Sequence, residues 1–208
     1  MTVNQAPDGP APAADRFALA ARISIDRLRT LTDADWSVPA ADLQWSCRQT
    51  VDHVVDCLFS YALQLAAQRE EDWLPVGELH VRNGTSPHDL LDSLDAVSRV
   101  FVAVLGSASP TARASDGVVL LDLDDWAARG TYEMLLHTRD VCGGLSATFE
   151  PPAPLCTWTL DSTALWMFDR QRAVPGRSPW EQALLGSGRT VRSGTDGSVA
   201  TVGEWEPT

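Results

Sequence analysis

Glu133 and His137 stand four residues apart in TYEMLLHTRDV, residues 131–141, a stretch otherwise rich in leucine, in a chain with only four histidines. On an α-helix such a pair stacks on one face one turn apart, so a carboxylate and an imidazole converge on one point. Asp140 and Gly144 fall on the same strip. Met134, Val141 and Leu145 flank it on one side and Leu136 on the other, while Thr138 and Arg139 point roughly away. A polar strip between apolar neighbours is expected to face the interior of a helical bundle. Buried there without partners, both groups would cost several kcal/mol. A divalent cation offsets that cost for both, and bundles build metal sites from helix pairs of this kind. The competing reading is a hydrogen-bonded Glu–His pair in the core with no metal.

A third ligand has to come from His53, His80 or His88. His53 is the better candidate because it lies mid-helix, where packing holds a side chain, whereas His80 and His88 lie in or beside a loop. Asp52, Asp56, Ser60 and Gln64 crowd His53's side, so its direction is less clear than that of Glu133 and His137. Trp73, His80 and Arg82 fall in REEDWLPVGELHVRNGT, residues 69–85, a stretch with no sustained period. A loop of that length in a compact domain is often functional, so these three are candidates to cover a pocket. The alternative is a plain solvated loop.

The elements that must position these residues can be read from period and caps. Phe17, Ala21, Ser24, Leu28 and Leu31 recur at helical spacing and predict a first helix over 15–31. Ser46 opens a second as the first residue of a capping box with Gln49, running to about Gln68. Ser86, Pro87 and Asp89 mark the start of a third, with Leu90, Leu94, Val97, Phe101 and Val104 as its stripe. RASDGVVLLDLDD reads as extended. A fourth helix is expected over 125–145, a fifth over 153–172 carrying Leu155, Trp158, Leu165, Trp166 and Phe168, and a short one near 179–186. Trp45, Trp126, Trp158 and Trp166 read as core residues. The implied organisation is a lead-in over 1–14 rich in Pro, Ala and Gly, an all-α bundle over 15–172, and an extension over 173–208 ending in a flexible tail.

Composition bounds the partners. A formal charge of −12 argues against nucleic acid and anionic membrane surfaces, which need clustered cations. The basic residues are all arginine, which with the many alanines points to a GC-rich coding genome. No apolar run spans a bilayer, and MTVNQAPDGPAPAAD lacks the pattern of a secretion signal, so a cytoplasmic protein is expected. Cys47, Cys57, Cys142 and Cys156 show no C-x-x-C pairing and are expected to be reduced, small and buried.

Two stretches resemble a known family. LQWSCRQTVDHVVDCLFSYA resembles the W-S-x6-H signature of the DinB-like superfamily, and TYEMLLHTRDVCGGL resembles the E-x3-H-x2-D helix of its mycothiol-dependent maleylpyruvate isomerase branch. The likeness covers about residues 15–172. It implies a DinB-like four-helix bundle of up-down-down-up connection, here with a fifth helix and a short C-terminal extension. It also implies one divalent metal held by His53, Glu133 and His137. Zinc is the expected ion, and nickel, iron or manganese would also suit a mixed His/carboxylate set. Three protein ligands leave one open position, where mycothiol, the thiol this family and genome type imply, could bind as thiolate and attack an electrophilic substrate. Asp140 would accept the ring N–H of His137, or else serve as a helix-packing carboxylate. Residues 173–208 cannot form the further domain that helps shape the isomerase's pocket, so thiol S-transfer is expected beside isomerisation. The alternatives are a metal-dependent hydrolase, a non-catalytic protein binding metal or a small ligand, and a homodimeric scaffold joined through the fifth helix.

Overall fold

The computed structural model describes residues 12–161, 176–192 and 199–200. Six helices carry the fold: α1 (Ala13–Arg29), α2 (Cys47–Ala67), α3 (Pro87–Ser107), α4 (Leu123–Gly144), α5 (Ala153–Asp161) and α6 (Pro179–Gly186). Two small antiparallel pairs join them, β1 (Ala114–Ser115) with β2 (Leu120–Leu121), and β3 (Val191–Arg192) with β4 (Val199–Ala200). The fold is all-α. Most of the expected lead-in, the second half of the expected fifth helix with Leu165, Trp166 and Phe168, and most of the expected tail lie outside the described residues.

The helix ends follow from local chemistry. Ser46 accepts the Gln49 N–H while the Gln49 side chain accepts the Ser46 N–H, closing the expected capping box of α2. Gln68 ends that helix in the left-handed region. Ser86 caps α3 with Pro87 behind it. The start of α4 lies two residues before the expected Asp125, because Asp122 is the cap and Asp125 its reciprocal partner. α1 starts at Ala13 and stops at Arg29, so the last expected position of its stripe, Leu31, lies past the helix.

Side-chain contacts fix the directions of the four long helices. Phe17 and Phe101 meet with ring centroids 4.8 Å apart, and Arg29 pairs with Asp92, so the start of α1 meets the end of α3 and the two run antiparallel. Arg16 reaches Asp124, and Arg27 donates to the Thr148 carbonyl, so α1 and α4 run parallel. The Cys47 thiol near the start of α2 faces the Val141 carbonyl near the end of α4, so these two are antiparallel. α1 packs on α3 and α4, and α2 packs on the same two. The order is therefore up-down-down-up, with α1 diagonal to α2.

The long stretch 69–85 contains no helix or strand, and a row of side chains one helical turn apart on α2 explains how it stays ordered. Arg48 donates to the Thr85 and Arg82 carbonyls, Asp52 accepts the Val81 N–H, Asp56 accepts the Leu79 N–H, and Gln64 bonds Leu74 and Asp72. Three of the four residues that crowded His53 in the sequence, Asp52, Asp56 and Gln64, thus anchor the loop. These backbone groups of the loop find partners without secondary structure.

Two apolar clusters form. The larger fills the bundle among α1–α4. The second joins Tyr132, Leu135 and Leu136 of α4 to Leu155 of α5 and to Trp180 and Leu184 of α6. α6 therefore does not hang free but covers the outer side of α4. From Trp126 to Thr138 every residue of α4 is buried, including Thr138, expected to point away from the core. No helix is long and apolar enough to cross a membrane among the described residues.

Candidate metal centre

The strip on α4 does face inward. Glu133 is 2 % exposed, His137 3 % and Asp140 1 %. From α2, His53 reaches the same point, and its side chain keeps 32 % of its surface open to solvent. His137 Nε2 lies 3.2 Å from Glu133 Oε2, and His53 Nε2 lies 3.8 Å from the same oxygen. The two imidazoles stand edge to face with centroids 5.2 Å apart. One donor atom from each of His53, Glu133 and His137 lies within 4.8 Å of the others, a grouping compatible with a divalent metal.

The two oxygens of Glu133 are used differently. Oε1 accepts a hydrogen bond from Tyr61 at 3.3 Å. Oε2 has no hydrogen-bond partner, although two ring nitrogens lie near it. The nitrogens stand at ion-pair distance without hydrogen-bond alignment. A buried carboxylate oxygen left that way is costly, and a cation between the three groups would satisfy it. On this test the residues fit a metal ion.

Electrostatics point the same way. Burial pushes the Glu133 carboxyl up, but the contacts with His137 and His53 outweigh it and hold the group well below the ordinary carboxylate range. Burial likewise opposes ionisation of Asp140, and the Arg189 and His137 charges overcome it, again to well below the usual range. His137 is raised above its ordinary 6.5: burial acts downward, and Asp140 with Glu133 wins upward.

Asp140 Oδ2 is 3.2 Å from His137 Nδ1, on the far side of the ring from Glu133. The approach is off the line of a good hydrogen bond, since Nδ1 has no such partner. Asp140 is itself gripped by Arg189, whose Nε lies 3.0 Å from both carboxylate oxygens and whose terminal nitrogen is 2.6 Å from Oδ2. Arg189 follows α6 directly, after Gly188 in the left-handed region. Sequence reasoning missed it.

Three further residues bear on the site. Trp45, half-buried rather than core, holds its tilted ring 4.8 Å from that of His53 and 6.4 Å from that of His137. Cys57, one turn past His53, brings Sγ to 3.4 Å from His53 Nε2. Burial, then the Glu133 and Asp56 charges, hold its thiol well above the ordinary 9.0. Arg129, one turn before Glu133, is buried against Asp116 at 2.6 Å and stacks over Tyr61.

The expected covering residues make no described contact with the three grouped side chains, although Trp73 packs on Tyr61, the donor to Glu133. Trp73 packs against Tyr61 and Trp126 and against Gly117, beside the far half of α2. His80 is exposed between Asp52 and Glu78, at 2.9 and 3.0 Å. Arg82 is exposed, and its carbonyl serves the loop anchor. The fourth histidine, His88, pairs on the surface with Asp92 at 3.5 Å. No contact described joins any of these to the three grouped residues.

No curated protein and no solved structure matches the chain. A family model described as the DinB superfamily matches residues 16–141, more than half of the sequence, spanning α1 to α4 and all three grouped residues. The chain belongs to the DinB superfamily.

Proposed function

We propose that His53, Glu133 and His137 hold one divalent metal ion, zinc first among the candidates, in a thiol-dependent S-transferase or isomerase-like enzyme. The observation that carries this reading is Glu133 Oε2, buried and without a hydrogen bond between two imidazole nitrogens. Three protein ligands would leave such an ion one open position, and its charge would favour a thiol there as the nucleophilic thiolate.

The surrounding residues divide the remaining work. Tyr61 occupies Oε1 of Glu133 and leaves Oε2 for the ion. Asp140, gripped by Arg189, holds His137 from the far side. The exposed edge of His53 beside Trp45 gives a small thiol and an electrophilic substrate their way in. Mycothiol is the thiol proposed, on the resemblance of the α4 motif.

Protein prepared without nickel resin is expected to contain one metal per chain by elemental analysis. Supplied with mycothiol and monochlorobimane it should form the conjugate, and His137→Ala should lose metal and turnover together. Equal rates in both proteins would remove the transferase reading and leave a metal-binding protein. Absence of stoichiometric metal from the native preparation would remove the whole reading.

A further inference from the structure

Two rows of side chains face each other across the antiparallel pair α2 and α4. His53, Cys57 and Tyr61 follow one another by one turn on α2, and Arg129, Glu133 and His137 do so on α4. His53 stands by His137 at one end, with ring centroids 5.2 Å apart. Tyr61 stands by Arg129 at the other, with the guanidinium carbon 5.5 Å from the ring centroid. Glu133 lies between the two ends and serves both. Its Oε2 faces the imidazoles, and its Oε1 accepts the Tyr61 O–H at 3.3 Å.

The Tyr61 end is built to stay where it is. Tyr61 is buried, and its ring lies 5.4 Å from that of Trp126 and 6.3 Å from those of Trp73 and Phe101. Arg129 is fixed in turn by Asp116, whose Oδ2 accepts its N–H at 2.6 Å while Oδ1 accepts the Val118 and Val119 N–H groups. A carboxylate can give an ion one oxygen or both, and giving both raises the coordination number by one. For Glu133 to give both, it would have to part from Tyr61 and leave a buried hydroxyl without that acceptor.

We propose that Tyr61, backed by the Arg129–Asp116 pair, is a positioning residue that restricts Glu133 to one oxygen and so sets the coordination number and the metal preference of the site. This rests on the metal reading above. Three ligands of one atom each suit zinc, which is satisfied by four positions, whereas manganese favours six. Freed from Tyr61, Glu133 would offer a second oxygen, and the set would lose its bias toward the smaller coordination number.

The test uses the full chain loaded with cobalt(II), as wild type and as Tyr61→Phe, which keeps the ring in its stack and removes only the hydroxyl. Wild type should show the intense visible absorption of a four-coordinate ion, and in the variant that absorption should fall several-fold as the coordination number rises. Zinc affinity of the variant in chelator competition should fall by about 10–100-fold, as when a group orienting a ligand is lost, and manganese affinity by less. Weak absorption already in wild type overturns the proposal. Unchanged absorption in the variant, or an equal loss for zinc and manganese, marks Tyr61 as packing alone and also overturns it, with the three-ligand site left standing. Should the variant fail to fold, the infrared difference spectrum of wild type, zinc-loaded minus ion-free, decides. A wide separation of the two carboxylate stretches supports binding through one oxygen, and a narrow one overturns it. No cobalt bound to wild type overturns the metal reading and this proposal together.

Discussion

Asp140 answers to three neighbours at once, the His137 ring, the buried Arg189, and Arg139, which also reaches Asp42 and the Thr190 carbonyl. Arg189 is 5 % exposed, so removing the carboxylate charge would leave a guanidinium buried without its counter-ion. That is worth about 3–5 kcal/mol in a buried pair. Asp140→Asn is therefore expected to lower folding stability by that order and metal affinity by about 10–100-fold. The double variant Asp140→Asn with Arg189→Met separates the two effects. It should recover most of the stability in urea unfolding, since no orphaned charge remains, but none of the metal affinity in chelator competition. Recovery of both would mean that Asp140 acts only through folding. At this scale the sequence was informative where one helix carried the information. Glu133, His137 and Asp140 share a strip because they are separated by four and three residues, and periodicity alone placed them inside. His53 was reachable by elimination among four histidines. Arg189 was not, because its link to Asp140 spans 49 positions and nothing marks it among the other arginines.

Helix starts were legible where a hydroxyl or carboxylate cap announced them, as Ser46 and Ser86 did, and the Asp122–Asp125 box shows the same logic with two aspartates. The anchoring of 69–85 was not legible, since the row on α2 has the same composition whether it faces water or a loop. Gly130 shows what periodicity cannot convey about how closely elements approach. A Cβ there would stand 2.6 Å from Phe101, 3.2 Å from Phe17 and 3.3 Å from Leu58. Gly130→Ala would gain about 1 kcal/mol of helix propensity and lose about 1–3 kcal/mol to overpacking. The loss should win. The Phe101 ring is held edge-on by Phe17 and lies 6.3 Å from the Tyr61 ring, so it has little room to retreat. The expected result is a lower thermal midpoint for Gly130→Ala, restored in part by Phe101→Leu, which shortens the obstacle. A midpoint equal to or above wild type would show that α1, α3 and α4 can part more easily than this packing implies.

For the whole molecule, the second cluster makes the C-terminal segment part of the fold. Tyr132, Leu135 and Leu136 could not remain exposed, and Trp180 and Leu184 cover them. The signal was present: α4 has no solvent face between Trp126 and Thr138, as expected of a helix covered on all sides. Such complete burial also sets how stability should respond to pH. Asp116, Glu133 and Asp140 all hold folded pKa values below their ordinary 3.8, 4.5 and 3.8. Their contribution is full above those ordinary values and drains away as pH falls through the folded ones, because the unfolded chain takes up protons first. His137 has the opposite sign. Its folded value lies above 6.5, so its contribution is full below 6.5 and is lost as pH rises through the folded value. The ion-free protein should therefore be most stable between about 4.5 and 6.5 and weaken on both sides, read as urea midpoints across pH. Relief of the −12 net charge on acidification acts against the acid limb, but exposed charges contribute little each. Bound metal should reshape both limbs, in opposite directions. An ion needs His137 deprotonated, so loading replaces the decline above 6.5 with a plateau or a rise, while the acid limb steepens as protons expel the metal. If metal-loaded and ion-free protein follow the same curve, the stabilising cation is not seated between His137 and Glu133.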